Sequence, residues 1–122
     1  TYNAPVDGKA KDITIPETVV INGETYKITH IDENAFKGNK TVTTVTIGSN
    51  IQSIGKNAFK GCKRLKTIII QSKKLNMKKI SKKAFKGISK KTVIKVPKKK
   101  LAAYRKLLKK KGLSSKNRIK GY

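Results

Sequence analysis

The string Ala-Phe-Lys-Gly occurs three times in this chain, at 35–38, 58–61 and 84–87, with offsets of 23 and 26 residues. Self-similarity at a period in the twenties signals stacked repeats: one unit cannot bury its apolar side alone, and neighbours share a continuous core. At those offsets the other apolar residues fall into columns. Val45-Thr46-Ile47 lies over Ile68-Ile69-Ile70 and Ile94-Lys95-Val96. Ile28, Ile51 and Met77 form a second column, Ile31, Ile54 and Ile80 a third, and Val42 with Leu65 a fourth. Ile13-Thr14-Ile15-Pro16 has the same shape one rung earlier, with nine extra residues before Ile28. The third interval carries three extra residues, around 72–76.

Each rung holds two kinds of segment. Val45-Thr46-Ile47 has the two-residue period of a half-buried strand, with Val45 and Ile47 inward and Thr46 outward. In Asn57-Ala58-Phe59-Lys60-Gly61 the small Ala and large Phe pack inside and Gly closes a turn. Neighbouring rungs then stack about 4.8 Å apart, the spacing of paired strands. The nine extra residues contain Asn22-Gly23 between apolar-rich runs, which predicts a hairpin on the first rung. Past Pro97, Leu101, Tyr104, Leu107 and Leu108 recur at helical spacing, Lys109, Lys110 and Lys111 fill the last turn, and Gly112 can end it. Such a helix suits a membrane surface or a cap. The cap is preferred, because the array otherwise ends on a naked apolar face. The tail from Asn117 to Tyr122 either adds a short strand or stays loose.

Charge follows the repeat. The 122 residues carry 31 Lys and Arg against 6 Asp and Glu, a formal net charge of +25. All six acids lie within the first 33 residues, and 28 of the 31 bases lie beyond them. Ile, Leu, Val and Phe make up a quarter of the chain, enough for a folded core despite that charge. Only Arg64, Arg105 and Arg118 are Arg; the other 28 bases are Lys. Lys acts as a flexible point charge, so such a surface attracts polyanions through its field without reading sequence. A solvated Lys coat with no ligand is the plainer reading. No apolar run is long enough to span a membrane, and no signal segment opens the chain. The start at Thr1, without Met, suggests processing or excision from something longer.

Ile54-Gly55-Lys56-Asn57-Ala58-Phe59-Lys60-Gly61-Cys62, followed by Leu65, Ile68 and Ile70, resembles the BspA-like bacterial leucine-rich repeat. The resemblance covers about Asp12 to Gly112, and Val96-Pro97 with Leu101 and Tyr104 looks like that family's usual ending. Asn39 and Ile88 stand where the family often has Cys, and Asp32 and Ser81 stand in place of Gly55. The resemblance implies a β-rich repeat protein: a right-handed leucine-rich-repeat solenoid, here of about four rungs, with an N-terminal hairpin and a C-terminal capping helix. Residues 1–11 are then a leader or the end of a preceding rung, 12–97 the array, and 98–122 a helical cap and tail. It also implies a secreted or surface-anchored bacterial protein that binds proteins of a host or neighbouring cell, with this chain as the last rungs of a longer one.

Catalytic chemistry finds little support. Cys62 is the only cysteine, so neither an intramolecular disulfide nor a Cys-pair zinc site is possible, and its place beside Phe59 marks it as a core filler. His30 is the only histidine. It flanks the inward Ile31 and is expected to face solvent, where a pair with Asp32 or Glu33 has no nucleophile to serve. Gly55 and Gly61 read as turn glycines, not a phosphate loop. These residues point to a non-enzyme with neither cofactor nor metal.

Two binding surfaces are expected. The outward column Thr14, Thr46, Ile69 and Lys95, flanked by Thr44, Thr67 and Val93, makes a ligand face for a protein. The same residues also suit an ordinary strand surface chosen for β propensity. Alternatively, Lys37, Lys60 and Lys86 in one column and Lys40 over Lys63 in another attract an anionic polymer such as acidic glycan, teichoic polymer or nucleic acid. A base-reading site is disfavoured by the absence of Trp, the commitment of all three Phe to the core and the scarcity of Arg. A third reading makes the chain a terminal spacer whose upstream repeats hold the binding face.

Overall fold

The computed structural model describes residues 11–75 and 77–122. The leader or preceding rung expected at 1–11 lies outside the described residues except for Lys11, as does the side chain of Met77 in the second apolar column. In chain order the strands are β1 (Asp12–Ile15), β2 (Thr18–Ile21), β3 (Glu24–Lys27), β4 (His30–Ile31), β5 (Thr44–Ile47), β6 (Ser53–Ile54), β7 (Thr67–Ile70) and β8 (Val93–Val96), followed by helix α1 (Leu101–Lys109) and strand β9 (Arg118–Gly121).

Five strands form one parallel sheet in the order β1-β5-β7-β8-β9. The register matches the sequence columns: Val45 pairs with Ile68 and Ile68 with Ile94, while Thr46 pairs with Ile69 and Ile69 with Lys95. Parity decides the faces. Ile13, Ile15, Val45, Ile47, Ile68, Ile70, Ile94 and Val96 are buried, and the residues between them look outward. Each such side chain removed from water contributes about 1.5–3 kcal/mol. On another side of each rung, β4 and β6 pair in parallel, and Ile54 bridges to Ile80.

The Ala-Phe-Lys-Gly turns stack as a third column. Phe36 N–H donates to Ala58 O at 2.7 Å, Gly38 N–H to Lys60 O at 2.8 Å, and Phe59 N–H to Ala84 O at 3.0 Å. Gly38, Gly61 and Gly87 sit at φ 71°, 77° and 80°, a left-handed conformation that a side chain would strain. Gly55 has a different reason to be glycine. Its φ is not positive; a Cβ there would lie 2.5 Å from the Glu33 nitrogen and 2.8 Å from the Asp32 carbonyl carbon. Its carbonyl accepts from Ala58 N–H at 3.3 Å, so it opens the turn as the sequence suggests, and it is also a close-approach glycine between rungs.

The two departures at the Cys62 position are absorbed locally. At the Cys62 position of the rung above, Asn39 accepts from Thr41 N–H and Val42 N–H through Oδ1 at 2.9 and 3.0 Å, tightening the turn with its own side chain. Ile88 fills the third copy and is buried.

At the first rung, β2 and β3 pair antiparallel around Asn22 (φ 51°) and Gly23 (φ 81°), the conformation a two-residue hairpin turn demands. At the other end α1 lays Tyr104, Leu107 and Leu108 into the same core as the rungs. That apolar face is therefore taken up inside the protein rather than offered to a membrane. Phe85 N–H donates to Lys111 O at 3.0 Å, so the chain just past α1 continues the turn column, and Gly112 (φ 101°) fits where a Cβ would stand 2.7 Å from Lys86 N. The tail then forms β9, anchored by Tyr122 N–H on Val96 O at 3.0 Å and Tyr122 O–H on Ile70 O at 2.8 Å.

Candidate functional site

The outward positions of the parallel sheet make one continuous face. Thr14, Thr46, Ile69 and Lys95 lie side by side in register, and β9 extends the column with Lys120. Thr44, Thr67 and Val93 flank them, with Asp12 at one end of the row and Arg118 at the other. Thr46, Ile69, Thr44, Thr67 and Val93 are half-buried by their neighbours, whereas Thr14, Lys95 and Lys120 are exposed. The face thus grades from β-branched and neutral at its centre to cationic at the β9 edge. Lys120 and Arg118 were not among the sequence candidates, because no Ala-Phe-Lys-Gly copy precedes them. Their signal was the alternation Arg118-Ile119-Lys120, with Ile119 buried.

The Lys columns occupy the turns. Lys37, Lys86, Lys40 and Lys63 are exposed, and Lys60 is half-buried. Its Cγ comes within 3.7 Å of where a Cβ on Gly87 would stand, so its stem covers the next turn while its charge reaches water. Lys63 is placed differently from the others: it lines a cleft with Arg64 and Lys66, just before β7.

His30 is not simply solvent-facing. Its Nδ1 lies 2.5 Å from Ser53 Oγ on the paired strand, and its Nε2 lies 3.8 Å from Asp32 Oδ1. A hydroxyl therefore does stand beside the ring. The Asp32 distance exceeds hydrogen-bond reach, and both side chains are about a third exposed, 36% each. Such a wet, loosely oriented set lacks the dry and fixed geometry that activates a serine. Cys62 is fully buried, and its thiol donates to Phe36 O at 3.0 Å. Burial pushes that thiol up to about 11, against a smaller lowering by the Asn39 backbone N–H, which leaves it unreactive near neutral pH. Among the described residues no group of three or more His, Cys, Asp or Glu could hold a metal, and no helix is long and apolar enough to cross a membrane.

The comparisons with known proteins agree with this geometry. The family model described as "BspA type Leucine rich repeat region (6 copies)" matches residues 9–114. Among solved structures, the chain is similar to a leucine rich cell surface protein from Faecalibacterium prausnitzii A2-165, at 23% identity and a TM-score of 0.52. That likeness covers 75% of this chain and 31% of the other, so the chain spans less than a third of that protein's length. No curated protein matches. The family match runs from the start of β1 through every stacked turn and past α1, and the chain belongs to the BspA type leucine-rich repeat family.

Proposed function

We propose that this chain is a non-catalytic binding module of a bacterial protein that works at the cell surface or outside the cell, and that its ligand is a protein of a host or neighbouring cell. In this reading the rungs form a right-handed solenoid of about four turns, the array spans 12–97, and 98–122 close it. The observation that carries the proposal is the register of the parallel sheet, which sets Thr14, Thr46, Ile69 and Lys95 in one row flanked by Thr44 and Thr67. A row of short hydroxyls around an outward Ile gives a flat, rigid surface with little side-chain entropy to lose on binding. Membership of a leucine-rich repeat family supports the same use, since stacked repeats commonly present their regular face to partners. The likeness to a leucine rich cell surface protein is in keeping with an extracellular or surface location.

The test is adhesion of the labelled chain to intact epithelial and bacterial cells. The double substitution Thr46→Arg/Ile69→Arg should lower retention at least about tenfold, the effect of losing a central contact, with an unchanged circular dichroism spectrum. Full retention by the folded double variant would transfer the binding role to other repeats and leave this chain a spacer.

A further inference from the structure

We infer that a trough along the starts of the parallel strands binds a linear phosphodiester polymer by its charged backbone. This site borders the protein-binding face, sharing Arg118 and Lys120 at its β9 edge, and does not require that face to bind a protein. Three clefts make up the trough. The first, of about 420 Å³, is lined by Arg64, Lys66 and Lys91 among others. The second, of about 590 Å³, shares Lys91 and extends to Arg118. The third, of about 340 Å³, shares Arg118 and adds Arg105 and Lys120. The first two clefts have Lys91 in common and the last two Arg118, so they follow one another from Lys11 beside β1 to the start of β9. Four interstrand steps at the usual spacing give a length of about 19 Å, room for several repeating anions.

The distribution of Arg is what lifts this trough above the general Lys covering. The chain has 28 Lys and only three Arg, and all three Arg line it. Guanidinium presents a planar fork that matches phosphate oxygens two at a time, whereas an ammonium offers a point charge. Arg105 is already held in place, its guanidinium donating to Ile119 O at 3.2 Å. Among the described residues no acidic side chain lines any of the three clefts.

The walls also say what is not gripped. Among the described residues none that lines the clefts is aromatic. Sugar rings and nucleobases are held chiefly by stacking on aromatic side chains. A trough that offers forks and charges but no flat ring recognises the diester chain and leaves the rest of the polymer in water. A polyol-phosphate wall polymer and the backbone of a single-stranded nucleic acid share that chemistry.

The probes are a poly(glycerol phosphate) polymer and an oligothymidylate, with heparin as the sulfated comparison, each titrated at several salt concentrations. Both phosphodiesters should bind the wild-type chain, and a preference for one identifies the source. Arg64→Gln/Arg118→Gln should weaken both about fivefold, as two exposed ion pairs would, and flatten the log–log salt slope by about 1.4. Lys37→Gln/Lys86→Gln removes the same charge from exposed turns and should change affinity less than about twofold. Equal losses from the two pairs would reduce the effect to net charge and overturn the site. Tighter binding of heparin than of either phosphodiester would overturn the ligand assignment, and absence of phosphodiester binding at physiological salt would overturn both.

Discussion

The rings of Phe59 and Phe85 lie face to face, 5.4 Å between centroids and 1° from parallel. Phe36 stacks on the other side of Phe59, at 5.2 Å and 5°. Parallel rings at such separations lie within the range of stacked pairs that aromatic side chains favour. Here the backbone ladder of the turns sets the spacing, since Phe59 N–H is bonded to the rung below and Phe36 N–H to Phe59's own rung. The central ring of such a column has the most to lose. Phe59→Ala should cost about 3–5 kcal/mol, as removal of a fully buried ring does. Phe85→Ala, whose ring stacks on Phe59 alone among the described residues, should cost less. Urea unfolding midpoints for the two variants make the comparison, and equal shifts would refute the column as a cooperative unit.

Cys62 gives the fold a pH dependence at the alkaline end. Burial holds the thiol protonated up to about 11, against 9.0 when exposed to water. The folded state therefore keeps its proton longer than the unfolded chain. The corresponding stability is fully present below about pH 9 and is lost as pH rises to about 11; a two-unit shift corresponds to about 3 kcal/mol. Lys and Tyr titrate in the same range, so the measurement is a difference: wild type should lose more stability than Cys62→Ala between pH 8 and 11. In parallel, a thiol reagent at pH 8 should react with the native protein far more slowly than with the urea-unfolded chain.

How much of this was legible in the sequence depends on whether a feature repeats. Ile31, Ile54 and Ile80 were placed together because they recur in identical letters, and their strands and bridge follow. The strand face was legible by parity alone, since Thr46 must point opposite to Val45. What it binds was not, because Thr is chosen as readily for strand propensity as for contact. The end of the array was only half legible. Lys111 takes the place of the repeat's Ala beneath Phe85, and β9 joins the sheet through Asn117, whose Nδ2 donates to Ser89 O and Thr92 O. Neither uses the repeated letters. The trough was illegible for the same reason: Lys66, Lys91 and Arg118 lie far apart in the chain and share no motif, and only the stacking brings them together.

Tyr104 joins the cap to the insertion that precedes it. Its hydroxyl donates to Ser72 O at 2.8 Å and accepts from Leu75 N–H at 3.2 Å, while Ser72 Oγ bonds back to Ile51 O. Burial raises the phenol above its ordinary pKa, so the neutral donor persists in the folded protein. Tyr104→Phe keeps the ring and leaves two backbone groups unpaired, at a cost of about 1–3 kcal/mol. Hydrogen exchange should localise the effect to 72–75 and α1, with the β5–β7 pairing unchanged. Loss of protection spread evenly through the sheet would mean that the cap and the rungs unfold as one.

The stacking that builds the core also stacks like charges. Lys37, Lys60 and Lys86 follow one another in the turn column. Two unit charges about 5 Å apart in water repel by about 0.8 kcal/mol before screening. Flexible tips lower that figure by splaying apart, but the unfolded chain separates the charges further still. The +25 net charge adds a longer-ranged repulsion that also favours expansion. Salt shortens the range of both, to about 10 Å at 0.1 M and about 3 Å at 1 M. The melting temperature should therefore climb with sodium chloride from low ionic strength and level off once the rung spacing exceeds the screening length. Lys60→Gln, which removes the middle charge, should raise the melting temperature at low salt and lose that advantage at high salt. A melting temperature that falls with added salt, in wild type and variant alike, would mean that attractive ion pairs outweigh the repulsion between rungs.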